Sequence, residues 1–346
     1  MVCTHNDGSY WNKLIALGIT PHDLVLRKLS LSTLFKLLKI LRKEKPDLIH
    51  THGKGPGLYG RLLGWMLGIP VVHTFHGFQH KLLPVVQRWF YLFVENVLTL
   101  LTRHHIFVGN GEKNKAKVLM FLNDSNSSVV NNGIDLDSIQ ALPPAEEVLA
   151  SLKLGPRESI KIFGTLSRVS PEKGLDILLE GFVEAAKRAP YIRLLVIGDC
   201  PGEHEKYIKM ITQYIHENGL DDAVKILGAR EDALEILKSI DFYISPSRSE
   251  GLPYNLLEAL AVGKPVMATD IPGNNDIIRK SVEGILVPVN SARTLAHGIL
   301  TLLELGPEEQ KAMRQNGKVR IRDEFSLNLM SEKTFSIYKK VLEGVI

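Results

Sequence analysis

Short apolar runs alternate with longer amphipathic segments along most of the chain. In its first part, this pattern predicts a strand at 46–50, a loop at 53–57, a helix at 58–67 and a strand at 71–75. In its later part, it predicts strands at 160–165, 192–197, 224–227, 242–245, 266–269 and 284–287, and helices at 175–188, 205–217, 233–238 and 254–261. Strands that alternate with helices are typical of right-handed βαβ units and parallel sheets. The two series predict an α/β protein with two facing, doubly wound, Rossmann-like domains.

Polar segments near residue 138 separate the two series. Residues 124–128 form a polar loop, and 131–135 form a turn cluster of Asn and Gly, which tolerate positive φ. The last predicted element, an amphipathic helix at 327–342, has no strand partner. We predict a first domain at 1–138, a second domain at 139–325, and a C-terminal helix at 326–346 that packs back on the first domain.

The beginning of the chain does not complete the pattern. Residues 1–4 resemble the end of a strand, but no strand–loop–helix unit precedes them. An open α/β sheet usually places its first ligand loop at such a unit. The sequence therefore predicts either a first domain that is abridged or a chain that begins late.

Composition narrows the class of protein. The chain has 346 residues, of which 45% are hydrophobic and 23% charged, and these values exclude disordered, collagen-like and coiled-coil classes. Two cysteines, Cys3 and Cys200, exclude a disulfide scaffold and fit a reducing compartment. The sequence contains no run of 18 apolar residues and no signal-peptide pattern. We therefore expect a cytoplasmic protein.

Charge is distributed unevenly although the formal net charge is only +4. Residues 1–138 contain 16 Lys and Arg against 9 Asp and Glu, whereas the remainder contains 26 against 29. A basic surface attracts nucleic acid, anionic membranes or phosphorylated ligands. The excess is mild, so an ordinary solvated surface explains it better than a specific partner does.

The segment 81–103 predicts an amphipathic helix with two interpretations. Its polar residues Arg88, Glu95 and Thr102 recur at spacings of seven, and large apolar residues cover the rest. We favour a helix of the protein core. The alternative is a helix that dips into an anionic membrane surface, because its Trp and Tyr residues suit such an interface.

Two segments of the later part carry candidate chemistry. Arg168 and Lys173 lie on a predicted turn between a strand and a helix, where a guanidinium and an ammonium group suit a diphosphate. Glu250 lies in a loop after a strand, and Glu258 lies inside the helix that follows. Ligands of open α/β sheets bind at the carboxyl ends of strands, so these carboxylates are candidates for binding sugar and ribose hydroxyls. Solvated surface charges are the simpler alternative.

These residues resemble the retaining GT-B glycosyltransferases of glycosyltransferase family 4. The resemblance rests on Ser-Arg-Val-Ser-Pro-Glu-Lys-Gly, which contains Arg168 and Lys173, and on Glu250 and Glu258 as a Glu–seven residues–Glu motif. It extends over nearly the whole chain and includes the segments 47–53, 73–77, 132–135, 196–199 and 269–273. Each segment is modest alone, but their order and spacing together are highly specific.

The resemblance implies a role for each matching residue. Arg168 and Lys173 would bind the donor diphosphate, Glu258 the ribose, and Glu250 the hydroxyls of the donor sugar. His76 matches the first-domain histidine that faces the donor sugar, and Gly198 and Arg230 would lie beside the base. The other histidines, including His50, His52, His73, His80, His104 and His105, are expected in the core or in loops. The family needs no metal and no cofactor.

The implied function is transfer of a sugar from a nucleotide-sugar donor, with retention, to an acceptor. Resemblance favours UDP-sugars and a lipid-linked or polysaccharide-precursor acceptor. A peripheral position on the inner face of the membrane is compatible with this function, and nucleic acid is not an expected partner. The alternatives are a non-catalytic nucleotide-sugar-binding or partner subunit and a GT-B UDP-sugar epimerase. The family opens with a strand and a Gly-rich loop that this sequence lacks, and we expect this departure to limit transfer more than nucleotide binding.

Overall fold

The computed structural model describes residues 1–3, 10–26, 29–77 and 84–346. They form two compact units, each described here by itself. The first unit comprises Met1–Val108, Glu112–Val130 and Glu332–Ile346, and the second comprises Gly109–Gly111 and Asn131–Ser331. The domain limits 1–138, 139–325 and 326–346 stay a prediction.

The first unit contains a parallel sheet of four strands in the order β3-β4-β5-β6. These strands are β3 (Ile49–His52), β4 (Val71–Phe75), β5 (His104–Phe107) and β6 (Ser127–Val129). A separate parallel pair consists of β1 (Val2–Cys3) and β2 (His22–Asp23). The helices are α1 (Tyr10–Ala16), α2 (Leu31–Glu44), α3 (Lys54–Leu67), α4 (Val85–Leu100) and α5 (Asn110–Leu119), together with most of the C-terminal helix α15 (Leu327–Leu342). Tyr338 of α15 contacts His50, with 2.5 Å between its hydroxyl and Nδ1.

Helix α3 corrects one prediction. The segment 53–57 was expected to be a loop, but the helix already begins at Lys54. Its glycines lie against the sheet: a Cβ added at Gly60 would lie 2.3 Å from the Thr51 side chain, and one at Gly64 would lie 2.2 Å from Val71. Glycine usually disfavours a helix interior. Here it allows the helix backbone to approach β3 and β4 closely.

Helix α4 corrects another prediction. It was expected at 81–103 as a core helix, but it spans Val85–Leu100, and residues 81–83 lie outside the described part. Its charged residue Glu95 is buried and forms a 2.9 Å ion pair with the fully buried Arg61 of α3. Many of its large apolar residues are exposed, namely Val85, Val86, Trp89, Phe90, Phe93, Val97 and Leu100, whereas Leu98 is buried. The buried face of α4 therefore combines the Glu95–Arg61 pair with the apolar residue Leu98, and the exposed apolar residues of the helix are not part of the core.

The second unit contains a parallel sheet of six strands in the order β12-β11-β10-β7-β8-β9. The strands are β7 (Lys161–Leu166), β8 (Ile192–Ile197), β9 (Val224–Gly228), β10 (Phe242–Ser245), β11 (Val266–Thr269) and β12 (Gly284–Val287). The helices are α6 (Leu136–Ala141), α7 (Glu146–Ser151), α8 (Leu175–Arg188), α9 (Glu205–Glu217), α10 (Ala233–Ser239), α11 (Tyr254–Ala261), α12 (Asn274–Ile277), α13 (Ala292–Glu304) and α14 (Pro307–Glu324). The strand order reverses between β7 and β10, which creates a crevice at their carboxyl ends.

The hydrophobic core of the second unit supports the sheet at the crevice between β7 and β10. Leu178, Leu179 and Phe182 of α8 are fully buried with Leu295 and Ile299 of α13 in one hydrophobic cluster. Burying a side chain of this size stabilises a fold by about 1.5–3 kcal/mol. The sheet and the helices α8 and α13 therefore form a stable scaffold for the loops that follow β7 and β10.

Candidate functional site

Two loops meet at the carboxyl ends of β7 and β10. The first loop contains a short 3₁₀ turn at Pro171–Lys173 and leads into α8, and the second leads from β10 into α11. Gly174 has a φ of +69°, and a Cβ at this position would lie 2.2 Å from the carbonyl oxygen of Pro246. The backbone amide of Arg248 also donates to the carbonyl of Glu172 at 2.8 Å. The two loops are thus in direct backbone contact, which only glycine permits at position 174.

Lys173 and Glu250 are paired across these loops. The distance from Nζ of Lys173 to Oε1 of Glu250 is 2.7 Å, and both side chains are largely buried. The hydroxyl of Ser247 donates to the same carboxylate oxygen at 2.6 Å. An ammonium group and a carboxylate are therefore presented side by side, the first suited to phosphate oxygens and the second to sugar hydroxyls.

Glu258 lies within α11, among the buried residues Leu256, Leu257, Ala259 and Leu260. Burial raises the pKa of its carboxyl group to about 7. Burial of Tyr243 on β10 raises the pKa of that hydroxyl, and the nearby carboxylates of Glu258 and Glu250 raise it further. Both glutamates therefore lie near Tyr243, at the carboxyl edge of the sheet.

Three other predicted residues occupy different surroundings. Arg168 is exposed on the loop after β7. Gly198 has a φ of +144°, and a Cβ there would lie 1.9 Å from the carbonyl oxygen of Ser167. Arg230 forms a bidentate ion pair with Asp232, with both N–O distances at 2.7 Å. A ligand of Arg230 must therefore share its guanidinium group with Asp232 or displace that carboxylate.

Sequence reasoning missed Arg248 and Asp176. The guanidinium group of Arg248 donates to both carboxylate oxygens of Asp176 at 2.8 Å, and its Nε donates to Oδ1 of Asn290 at 2.7 Å. Tyr207 donates from its hydroxyl to Oδ1 of Asp176 at 2.8 Å. Arg248 stands two residues from Glu250, but its carboxylate partner lies 72 positions away in the sequence. Only the basic residue in the Ser-Arg-Ser-Glu segment signalled this network.

His76 belongs to the first unit and follows β4. Its Nε2 lies 2.9 Å from Nδ1 of His52. Desolvation and the nearby His52 lower the pKa of His76 to about 4, so the imidazole is neutral at neutral pH. Desolvation also lowers the pKa of His52. A neutral imidazole pair of this kind offers one donor and one acceptor between the rings.

Histidines, which commonly bind metal ions, are frequent in the first unit. Within the described residues, no group of three or more His, Cys, Asp or Glu side chains is arranged to hold a metal ion. His80 lies outside the described residues. Metal independence therefore stays a prediction.

The geometry places charged and hydroxyl-binding groups where nucleotide-binding α/β proteins place theirs, and comparison with known proteins defines the class. The family model described as "Glycosyl transferases group 1" matches residues 151–320, and the model described as "Glycosyltransferase Family 4" matches residues 2–138. The chain belongs to the glycosyltransferases of the family 4 type.

Individual relatives agree with this assignment. The chain is 28% identical over 330 residues to the Escherichia coli UDP-Gal:alpha-D-GlcNAc-diphosphoundecaprenol alpha-1,3-galactosyltransferase, covering 90% of this chain and 77% of that enzyme. A glycosyltransferase from Rickettsia africae superimposes with a TM-score of 0.84 at 22% identity, covering 99% of this chain and 90% of the other. Anabaena HepE in complex with UDP superimposes with a TM-score of 0.82 at 21% identity, covering 96% and 90%.

These findings confirm two predictions. The fold class is α/β of the GT-B type, with two Rossmann-like units built on parallel sheets. The activity class is glycosyltransferase. Among the helices in the described ranges, none combines the length and the apolar character needed to cross a membrane.

Proposed function

We propose that this protein transfers a hexosyl group from a UDP-sugar to a lipid-linked acceptor with retention at the anomeric carbon. The observation that carries the proposal is the Lys173–Glu250 pair, held where β7 and β10 part in a chain of this family. UDP as the nucleotide is supported by the E. coli relative, which uses UDP-Gal, and by Anabaena HepE, which binds UDP.

Positively charged side chains and carboxylates bind different parts of the donor. Lys173 and Arg168 contact the diphosphate and stabilise the negative charge that develops as it leaves. Glu258 accepts hydrogen bonds from the ribose hydroxyls, and Glu250 accepts from the hydroxyls of the sugar. On donor binding, Lys173 exchanges part of its contact with Glu250 for the phosphate oxygens. Gly198 allows the backbone to approach the base, and Arg230 lies at its edge.

Transfer with retention proceeds on one face of the sugar. The bond between the anomeric carbon and the diphosphate oxygen breaks, and UDP leaves with the electron pair. The acceptor oxygen forms its bond to the anomeric carbon on that same face. Its proton passes to the oxygen of the departing diphosphate, so no protein nucleophile is required. His76, neutral at the working pH, hydrogen-bonds the donor sugar without adding positive charge near the reacting carbon.

The acceptor proposal draws on helix α4. Its exposed apolar face suits an interfacial position in a lipid bilayer, with Trp89 and Phe90 at the headgroup level. The excess of Lys and Arg in residues 1–138 complements an anionic surface. The E. coli relative acts on a diphosphoundecaprenol-linked sugar, which is a membrane-borne acceptor. We therefore place this protein peripherally on an anionic membrane surface.

Incubation of the purified chain with UDP-sugars and a sugar–diphosphate–polyprenol tests the proposal. The expected result is a lipid product with one added hexose in the anomeric configuration of the donor, as determined by NMR. A product of inverted configuration would refute retention. Interconversion of UDP-sugars without an acceptor would favour an epimerase, and UDP-sugar binding without turnover would favour a binding subunit.

A further inference from the structure

Arg248 joins its own loop to two other segments of the second unit. Its backbone amide and its guanidinium group bond the carbonyls of Glu172 and Pro171 in the loop after β7. The guanidinium also forms the bidentate pair with Asp176 at the start of α8. Its Nε reaches Asn290, in the segment between β12 and α13. All three guanidinium nitrogens therefore have an acceptor in the protein.

The contacts of Arg248 flank Lys173 along the chain, and Arg248 itself lies close to Glu250 in the sequence. Glu172 and Pro171 precede Lys173 in the same 3₁₀ turn, and Glu250 lies two residues beyond Arg248. The distance between Lys173 and Glu250 is therefore set from both sides. On one side the loops touch through Gly174 and Pro246, and on the other they are joined through Arg248.

Asp176 is itself held in place. Its backbone amide donates to the hydroxyl of Tyr207 at 3.1 Å, and that hydroxyl donates to Oδ1 at 2.8 Å. Hydrogen bonds from Arg248 and Tyr207 outweigh burial and lower the pKa of the Asp176 carboxyl, so the carboxylate is ionised at neutral pH. An ionised and oriented carboxylate fixes the plane of the guanidinium group of Arg248.

We propose that Arg248, oriented by Asp176, is a positioning residue for donor turnover. It fixes the separation of Lys173 and Glu250 so that the diphosphate and the sugar of one donor molecule engage both at once. The inference rests on the proposed function, because it presumes that these two residues bind the donor. Arg248 itself need not touch the donor, since its guanidinium nitrogens are engaged by the protein.

The chemistry requires arginine at this position. A lysine carries its three donors on a single nitrogen, whereas the planar fork of arginine spreads its donors over three nitrogens and reaches Asp176, Asn290 and Pro171 together. A misplacement of about 1 Å at a reacting centre costs about 100-fold in rate. Loss of a partly exposed ion pair, by contrast, lowers the free energy of unfolding only slightly. A positioning role therefore predicts an effect on turnover without a matching loss of stability.

The experiment compares Arg248→Lys with Arg157→Lys as a matched control. Arg157 forms a partly exposed 3.0 Å ion pair with Asp241 in the same unit, where Asp241 immediately precedes β10, at the opposite end of that strand from Arg248. We expect Arg248→Lys to lower kcat for UDP-sugar by about 10- to 100-fold. The UDP dissociation constant and thermal midpoint should stay close to those of Arg157→Lys. Equal kcat in the two variants would overturn the inference, and so would a loss of thermal midpoint that accounts for the lost turnover.

Two further measurements separate positioning from a general structural role. When Glu250 is already replaced by Gln, adding Arg248→Lys should lower kcat by less than about a further threefold. The reason is that the effects of residues that act through each other do not add. Millimolar guanidinium should restore part of the turnover of Arg248→Ala. Full additivity, or no restoration, would count against the inference.

Failure of the inference is distinguishable from failure of the proposed function. If the unmodified chain neither binds UDP nor turns over UDP-sugar, the proposed function falls and the inference with it. If the unmodified chain is active and the Arg248 variants behave like the Arg157 control, only the positioning role falls.

Discussion

Glu258 illustrates how a single residue couples binding to pH. Its carboxyl group has a pKa raised by burial from 4.5 to about 7. Between these values the folded chain carries a proton on Glu258 that the unfolded chain has lost. The contribution of Glu258 to the free energy of unfolding is therefore most favourable below about pH 4.5, and it declines as the pH rises to about 7. A ligand hydroxyl that donates a hydrogen bond to the ionised Glu258 carboxylate would offset the free-energy cost of burying that charge.

We expect Glu258→Gln to be more stable than the unmodified chain at about pH 8, by about 1–3 kcal/mol. The difference should fade as the pH falls toward 4.5, where the carboxyl group is neutral in both states. Thermal midpoints of the two proteins across this range provide the measurement. A difference that does not change with pH would show that the pKa of Glu258 is not raised.

UDP binding provides a second test at this residue. If the ribose hydroxyls donate to the carboxylate of Glu258, UDP should bind more tightly as the pH rises through about 7. The ionisation of UDP itself is common to all variants, so the comparison with Glu258→Gln isolates the protein group. Calorimetry should show this extra pH dependence in the unmodified chain only. The same pH dependence in both proteins would contradict a role in ribose binding.

Lys173 and Glu250 should separate by ligand although they form one ion pair. Lys173→Ala should weaken UDP binding by about 2–5 kcal/mol, because it removes a charged partner of the diphosphate. Glu250→Gln should leave UDP affinity within about threefold, since UDP carries no sugar, and should abolish most turnover of UDP-sugar. Titration with UDP and steady-state kinetics measure the two effects. Equal loss of UDP affinity in both variants would show that the roles are not divided in this way.

At the scale of elements, α4 shows that an amphipathic pattern does not state which face lies inside. Glu95 finds Arg61 as its partner, 34 positions away in the sequence, and the pair is buried. Asn96 adds bonds from its amide to the carbonyls of Leu92 and Leu119. A buried charge is tolerated when its partner and hydrogen bonds are supplied. Since such a partner is invisible to periodicity, the pattern could not show that Glu95 lies inside with Arg61.

The exposed face of α4 should mediate vesicle binding. Trp89→Glu together with Phe93→Glu should abolish sedimentation with vesicles that contain anionic lipid, because both side chains are about two-thirds exposed and apolar. Met210→Glu, at an exposed position of α9 in the second unit, is the matched control and should bind as before. Binding should weaken with added salt. Undiminished binding of the α4 variant would remove this helix from the membrane proposal.

The glycines of α3 permit a stability test at the same scale. Gly60→Ala and Gly64→Ala place a methyl group against Thr51 and Val71, and each should destabilise the chain by about 1–3 kcal/mol. Gly202→Ala is the control, since a Cβ there meets nothing within 4 Å. Urea unfolding measures all three variants. A neutral result at both α3 positions would mean that the helix shifts on the sheet without cost.

At the scale of the whole molecule, the alternation of apolar runs and amphipathic segments was sufficient to predict the strand series of the second unit. The strands Ile192–Ile197 and Val266–Thr269 begin and end where the pattern places them. The first unit was harder to predict because its glycines and charges depend on long-range neighbours. The same reason applies to the site. Lys173 and Glu250 could be predicted as candidates from motif spacing, whereas Asp176 becomes a partner of Arg248 only when the strands are assembled.

The chain segments that make up the first unit affect the order in which the two units can fold during translation. That unit includes Glu332–Ile346, and the carbonyl of Ile346 accepts from Nε of Arg103 at 2.7 Å. A nascent chain that has emerged through residue 331 therefore contains every segment of the second unit but not every segment of the first. Domains usually complete folding in order from the N-terminus during translation. In this protein we expect the reverse order, because the second unit can complete folding while the first unit still lacks Glu332–Ile346.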